Sequence, residues 1–242
     1  MPFTLAHPAA ILPFRRFCPR SLSFPALVVG SVAPDVGYWS GPFDLQRISH
    51  GFWGSFWFDL PIGLLMLVVI YLLRAPVAEK LPASSRNLFL AMWPRPLGTP
   101  LAVVVSLMIG IWTHLLWDTF THNHGWLVER VAALKTPWFD FRGKAFRVSH
   151  LISYLCSFGG VAVLLAAIIS WRENSSYGSR SFSQAERWKL ILIAGLILPI
   201  TAIHHLAPSL AGLCVVAVLS FLMIVATWRI IAGPAQTARR NR

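Results

Sequence analysis

The stretch Gly98-Thr-Pro-Leu-Ala-Val-Val-Val-Ser-Leu-Met-Ile-Gly110-Ile-Trp-Thr-His114-Leu-Leu-Trp-Asp118-Thr-Phe120 runs 23 residues without a Lys or Arg. A helix needs about 20 mainly apolar residues to cross the hydrocarbon core of a bilayer, so this length and composition predict a membrane span. Its one carboxylate and one histidine are four residues apart and therefore share a helix face. Ionisable groups are costly inside a membrane, and they face the bundle interior with a partner and a role. The same stretch thus points both to a membrane fold and to a candidate site within it.

The rest of the chain repeats the pattern. Spans are expected at Phe52–Leu73, Gly98–Phe120, Ser149–Trp171, Trp188–Leu206 and Ser209–Ile231. The last two, separated by Ala207 and Pro208, form a hairpin. The segment Ser21–Ala33 is apolar but too short to span, and suits a re-entrant or interfacial element covered by protein. The expected fold is all-α: a polytopic helical bundle of about five transmembrane helices with a short N-terminal re-entrant segment. Residues 1–171 would form the site-bearing domain and residues 172–242 a C-terminal two-span hairpin in the same bundle. Tracts 83–95 and 173–187 read as polar loops.

Composition agrees. Of 242 residues, 56% are hydrophobic and 12% charged, against about 25% charged in soluble domains. The formal net charge is +12. In a soluble protein that would suggest nucleic acid, but the Lys and Arg sit in short segments between apolar runs and no reader motif accompanies them. Contact with anionic lipid headgroups and topology signalling is the better reading, with no nucleic-acid partner. Both faces carry basic residues, so charge barely sets the orientation. Cys18, Cys156 and Cys214 are far apart and argue against a disulfide framework or thiolate metal site. Arg15, Arg16 and Arg20 follow the first apolar residues instead of preceding them, against a cleaved signal peptide.

Alternating five spans places the histidines. His7, His50, His122, His124, His150, His204 and His205 all map to the face where the first span begins, and His114 lies about two turns inside it. His114, Asp118 and His122 form one stripe on the second span, with Gly110 leaving room for a neighbouring backbone or a substrate. An imidazole and a carboxylate one turn apart can bind one cation together. A metal would neutralise Asp118 and use the histidine lone pair. Asp35, after Pro34, and His50, just before the first span, can complete the shell. Asp59 is a further acidic position within that span, beside Pro61, where it can pair with an arginine.

Met1-Pro-Phe-Thr-Leu-Ala-His7-Pro-Ala-Ala, Ala26-Leu-Val-Val-Gly-Ser-Val-Ala-Pro-Asp35, Ser49-His50-Gly51, Asp59-Leu-Pro-Ile-Gly63 and Thr113-His114-Leu-Leu-Trp-Asp118-Thr-Phe-Thr-His122 together resemble a bacterial membrane family, domain of unknown function 4184, over the chain to about Ala167. That resemblance implies an integral protein of the bacterial inner membrane. The order His7, Asp35, His50, His114, Asp118, then His122 or His124, then His150 is distantly similar to the ligand order of the zinc-dependent phospholipase C and P1 nuclease superfamily. Inner-membrane metal-dependent hydrolases of the SOS regulon look similar too. This second resemblance implies bound zinc that activates water for phosphoester cleavage. The chain departs from it at Tyr154, where the soluble enzymes have Glu, and at Met1-Pro2, which offers no matching terminal ligands, so one or two ions are expected.

The expected function is therefore a membrane-embedded metal-dependent hydrolase acting on a phosphoester or phospholipid at the interface. His7, Asp35, His50, His114, Asp118 and His122 would hold a divalent metal, with zinc suiting the His and carboxylate donors. Asp35 and His50 are the catalytic candidates, Asp35 as general base. Arg15, Arg16 or Arg47 would hold a phosphate. The alternative is a non-catalytic membrane protein in which a structural metal or a buried His/Asp network fixes helix packing.

Overall fold

The computed structural model describes residues 3–39, 43–81, 83–122, 125–141 and 144–174. A 3₁₀ segment, Thr4–Phe17, opens the chain. Helix α1 (Phe24–Gly30) follows, then a 3₁₀ turn at Ala33–Asp35, α2 (Val36–Trp39) and α3 (Phe43–Ser49). A π-helical turn at Ser55–Asp59 leads into α4 (Leu60–Glu79), then α5 (Ala83–Met92) and α6 (Pro100–Thr121). Two short helices, α7 (Trp126–Arg130) and α8 (Ala132–Lys135), precede strands β1 (Pro137–Phe141) and β2 (Lys144–Arg147), and α9 covers Val148–Asn174.

Among the described residues, three helices are long and apolar enough to cross a membrane: Ser55–Glu79, the one containing α6, and Val148–Trp171. Their starts fall within three residues of those of the first three expected spans, while the first runs on to Glu79, beyond the expected Leu73. The expected spans at Trp188–Leu206 and Ser209–Ile231 lie outside the described residues. Two local expectations are corrected. The tract read as a polar loop at 83–95 contains α5, a helix of ten residues. The fold is also not purely helical, because β1 and β2 pair antiparallel. Phe139 stacks on Phe146 across that pair at 4.6 Å, the type of cross-strand aromatic contact that stabilises a two-stranded ribbon.

The described residues fall in two compact units, one comprising 1–72 with 94–161 and the other beginning with 73–93 and resuming at 162. In the second, the Arg86 guanidinium donates to the carbonyls of Ala78, Glu79 and Leu81. Those include the last carbonyls of α4, which have no partner within the helix.

The first unit is organised by α6. Thr99 caps it, accepting from the Ala102 amide at 3.2 Å, and Pro100 supplies the preset φ of a first helical residue. Its two faces differ sharply. Ser106, His114 and Asp118, four or eight residues apart, are buried, whereas Leu101, Val105, Trp112 and Leu116 are exposed. This is the one-sided burial expected of a helix with protein on one side and lipid on the other.

Helix α1 crosses the buried face at a pair of glycines. A Cβ on Gly110 would stand 2.4 Å from the Leu27 carbonyl oxygen, and one on Gly30 would stand 2.3 Å from that of Leu107. Only glycine allows two backbones to approach so closely, a device common where helices pack in membranes. The Ser23 amide donates to Ser106 Oγ at 2.8 Å beside the same crossing. The N-terminal 3₁₀ segment is fixed on its other side by α9: the Phe3 amide donates to Ser157 Oγ at 2.9 Å, and Gly160 makes room for Ala6.

Candidate metal centre

The glycine crossing brings the end of α1 against the middle of α6, and that position builds the site. The Ser31 carbonyl, just past α1, lies 2.8 Å from His114 Nδ1. A carbonyl only accepts, so Nδ1 carries a hydrogen, and in the neutral ring Nε2 is the nitrogen that can bind a cation. Nε2 points at two carboxylates, 3.2 Å from Asp118 Oδ2 and 3.5 Å from Asp35 Oδ1. Asp118 arrives there because it sits one turn further along α6. Asp35 arrives because the Ala33–Asp35 turn follows α1 directly.

His50 repeats the arrangement from the end of α3. Its Nδ1 lies 3.1 Å from the Gln46 carbonyl and 2.9 Å from Ser49 Oγ. Ser49 Oγ itself donates to the Gln46 carbonyl, so Nδ1 is again the donor. His50 Nε2 faces Asp118 Oδ2 at 3.3 Å and Asp35 Oδ1 at 3.9 Å. Histidines that ligate metals donate their other ring N–H to a carbonyl or carboxylate in this way, which fixes tautomer and orientation.

The remaining two histidines approach the opposite carboxylate oxygen. His122 Nδ1 lies 3.3 Å and His7 Nε2 3.8 Å from Asp118 Oδ1. The His7 ring stacks on that of His114, with centroids 3.8 Å apart. All six residues expected as ligands are therefore gathered around Asp118. His7, Asp35, His114 and Asp118 are buried, while His50 and His122 are partly exposed at 17% and 21% of their side chains.

Burial opposes charge on this cluster. It holds His7 well below the ordinary histidine value, with His114 adding to the effect. It also raises the Asp35 carboxyl above the ordinary aspartate value. Both oxygens of Asp35, both nitrogens of His7, His114 Nε2 and Asp118 Oδ2 are buried without a hydrogen-bond partner among the described residues. Buried polar atoms are normally satisfied, and such exceptions signal an ion or a functional strain.

The donor set fits a divalent cation. Ligand atoms about 2.0–2.2 Å from a tetrahedral metal stand about 3.3–3.6 Å from each other. The observed separations among His50, His114, Asp118 and Asp35 are 3.2, 3.3, 3.5 and 3.9 Å. Two groups have ligand atoms all within 4.8 Å of one another: His7, Asp35 and His114, and His50, His114 and Asp118. One divalent ion would balance the charges of Asp35 and Asp118, which removes most of the cost of burying them.

Other expected residues fall elsewhere. His150 Nδ1 accepts the Arg147 amide at 3.0 Å, at the start of α9, so it serves the junction between β2 and that helix. Its order in the chain had suggested a ligand, but a local backbone donor occupies it. Arg15 lies over the Phe24 ring and Arg16 over Phe17. Phe24 begins α1, whereas the site adjoins its other end, so Arg15 is held away from the site. Arg47 is exposed on α3, three residues before His50. Asp59 makes no ion pair with an arginine among the described residues; it is fully buried with both oxygens unpartnered. His124, His204 and His205 lie outside the described residues.

Sequence reasoning missed the carbonyls of Ser31 and Gln46, which set the two tautomers. No side-chain pattern announces a backbone acceptor. Gly110 was legible as a site of close approach, and the backbone of α1 is what approaches.

Neither a curated protein nor a solved structure matches the chain. The profile of one family, described as domain of unknown function (DUF4184), matches residues 1–236. The chain is therefore a member of the DUF4184 family.

Proposed function

We propose that this protein is a membrane-embedded metal-dependent hydrolase of the bacterial inner membrane, acting on a phosphoester or phospholipid at the lipid–water interface. The observation that carries the reading is the convergence of lone pairs. His50 Nε2 and His114 Nε2, each the ring nitrogen turned away from the backbone carbonyl that its Nδ1 meets, face carboxylate oxygens of Asp118 and Asp35 at 3.2–3.9 Å. Neutral imidazoles facing carboxylates need a proton or a metal cation between them, and a divalent cation can serve all four groups at once. Zinc suits the nitrogen and carboxylate donors. When bound, such a cation acts as a Lewis acid and makes water a nucleophile near neutral pH.

The protein residues divide the remaining work. His114 and Asp118 hold the cation from α6, and Asp35 closes the deep side. His50 and His122 border the accessible side, where substrate enters. Of the two catalytic candidates, His50 is the one within reach of solvent, and Asp35 is the carboxylate available to orient or accept a proton. Exposed Phe52, Trp53 and Trp57 begin the first span next to His50. Such aromatic residues settle at the headgroup level, which supports an amphiphilic substrate.

A second reading is a structural metal or polar network without catalysis. It is favoured by the tie from His114 to the Ser31 carbonyl, which links the cluster to the α1–α6 crossing. Two measurements separate the readings. Purified protein is analysed for zinc and other divalent metals, and wild type and His50→Ala are assayed on a generic phosphodiester and on phospholipid. The hydrolase reading expects metal in the wild type and turnover that His50→Ala reduces at least tenfold. Metal with equal, background rates in both leaves the structural reading; absence of metal removes the hydrolase and the structural metal and leaves the polar network.

A further inference from the structure

One buried acidic group is not used by that reading. Asp59 ends the π-helical turn Ser55–Asp59 and has no solvent exposure. Both its oxygens are unpartnered among the described residues. An ionisable residue inside a membrane-spanning helix is a functional candidate by default, and π turns occur often at functional sites. Here the turn has a local cause, since Pro61 lacks the N–H that would continue the regular ladder.

Where Asp59 points follows from its neighbour one turn on. Gly63 faces α6 and the Ala33–Asp35 turn: a Cβ there would stand 2.9 Å from Leu107 Cδ2 and 3.8 Å from Ala33 Cβ. Residues four apart share a face, and helical side chains lean toward the N-terminus. Asp59 therefore lies on that same inner face, one turn nearer the start of the helix. Burial acts on it most, and His114 and Asp35 are the charged groups that act on it next. It is not among the groups whose ligand atoms lie within 4.8 Å of each other, so it stands behind the ligands.

We infer that Asp59 is an outer carboxylate of the metal site, holding the cation by its charge from within the membrane-spanning region without ligating it. The inference rests on the metal reading above. Three buried carboxylates, Asp35, Asp59 and Asp118, then surround four imidazoles, and the low-dielectric surroundings let the outer one act over a longer range than it could in water. Removing its charge weakens binding without removing a ligand.

The test compares zinc binding in wild type, Asp59→Asn and Asp59→Glu, each full-length in lipid nanodiscs and titrated with zinc against a competing chelator. Asn keeps the shape and removes the charge; Glu keeps the charge. The expected result is unchanged stoichiometry in all three, with the free zinc for half-saturation raised about 10- to 100-fold in Asp59→Asn, the range seen when residues behind metal ligands are replaced. Asp59→Glu should lie closer to wild type than Asp59→Asn does. Asp59→Ser replaces Asp59→Asn if the latter does not fold. Equal affinity in wild type and the uncharged variant overturns this inference alone. A wild type that binds no zinc overturns the metal reading with it.

Discussion

The metal cluster has a wall and a rim, and the two are built differently. The wall consists of His7, Asp35, His114 and Asp118, all buried, and it is assembled by backbone contact: the α1–α6 crossing at Gly30 and Gly110 sets where Ser31 meets His114. The rim consists of His50 and His122, partly exposed and carried at the ends of α3 and α6. A wall residue cannot be lost without leaving unpaired polar atoms in a dry interior, whereas water can replace a rim residue. Wall substitutions should therefore remove both metal and stability, and rim substitutions mainly metal affinity or turnover.

The largest effect is expected for Asp118→Ala. Both oxygens of Asp118 face histidines, Oδ2 towards His50 and His114 and Oδ1 towards His122 and His7. Removing one partner of a buried ionic set costs about 3–5 kcal/mol. Elemental analysis should find no bound metal, and thermal unfolding in detergent should no longer respond to added zinc. Wild-type metal content in this variant would show that the carboxylate is not the centre of the site.

Gly110→Ala should come next and act without touching a ligand. Its new methyl would collide with the Leu27 carbonyl and the Ser31 amide, at 2.4 and 2.7 Å. Those are backbone atoms that cannot swing aside, so α1 must move and carry Ser31 away from His114. Overpacking of this kind costs about 1–3 kcal/mol, and a fall in both melting temperature and metal content is expected. Gly159→Ala is the control, since none of the described residues lies within 4 Å of its added carbon. Equal behaviour of the two variants would separate the crossing from the site.

The same contrast explains what the amino-acid pattern revealed. His114, Asp118 and His122 were legible because four-residue spacing fixes a helix face whatever the tertiary fold. The three described spans were legible because length and apolarity suffice. Asp35 and His50 could be nominated, but their meeting with Asp118 depends on α1 folding back along α6, which the spacing of apolar residues does not encode. The β1–β2 hairpin was hidden in a short, charged connection where no apolar run marks the strands. Arg15 and Arg16 were nominated because they share a membrane face with the histidines, but a shared face does not fix a position within it, and the 3₁₀ segment carries Arg15 to Phe24 at the start of α1.

Within the cluster, His114→Ala and His122→Ala sharpen the division directly. His114 is fully buried and its ring fills the space between Ser31 and two carboxylates. Its loss should abolish metal binding and lower the melting temperature. His122 faces Asp118 from the rim, so its loss should leave stability near wild type and weaken zinc binding about 10- to 100-fold at most, the range for supporting residues of a metal site. A larger stability loss for His122→Ala than for His114→Ala would reverse the assignment of wall and rim.

The smallest effect, and the most diagnostic of burial, concerns pH. Burial raises the Asp35 carboxyl, so its folded-state value lies above its unfolded one. Without metal, that group favours the folded state fully only below the ordinary aspartate range, and the contribution is lost as pH rises through the raised value. Burial lowers His7, so its contribution runs the other way, lost as pH falls below the ordinary histidine value. Metal binding needs Asp35 ionised and His7 neutral. Burial already favours neutral His7, so the cation displaces protons from the Asp35 carboxyl and from any ligating imidazole that is protonated. The rise in melting temperature on adding zinc should therefore grow from mildly acid to neutral pH. In Asp35→Asn the rise should be smaller and flatter with pH. A zinc-dependent shift that is independent of pH in the wild type would mean that Asp35 carries no proton to lose and is not held in the dry wall described here.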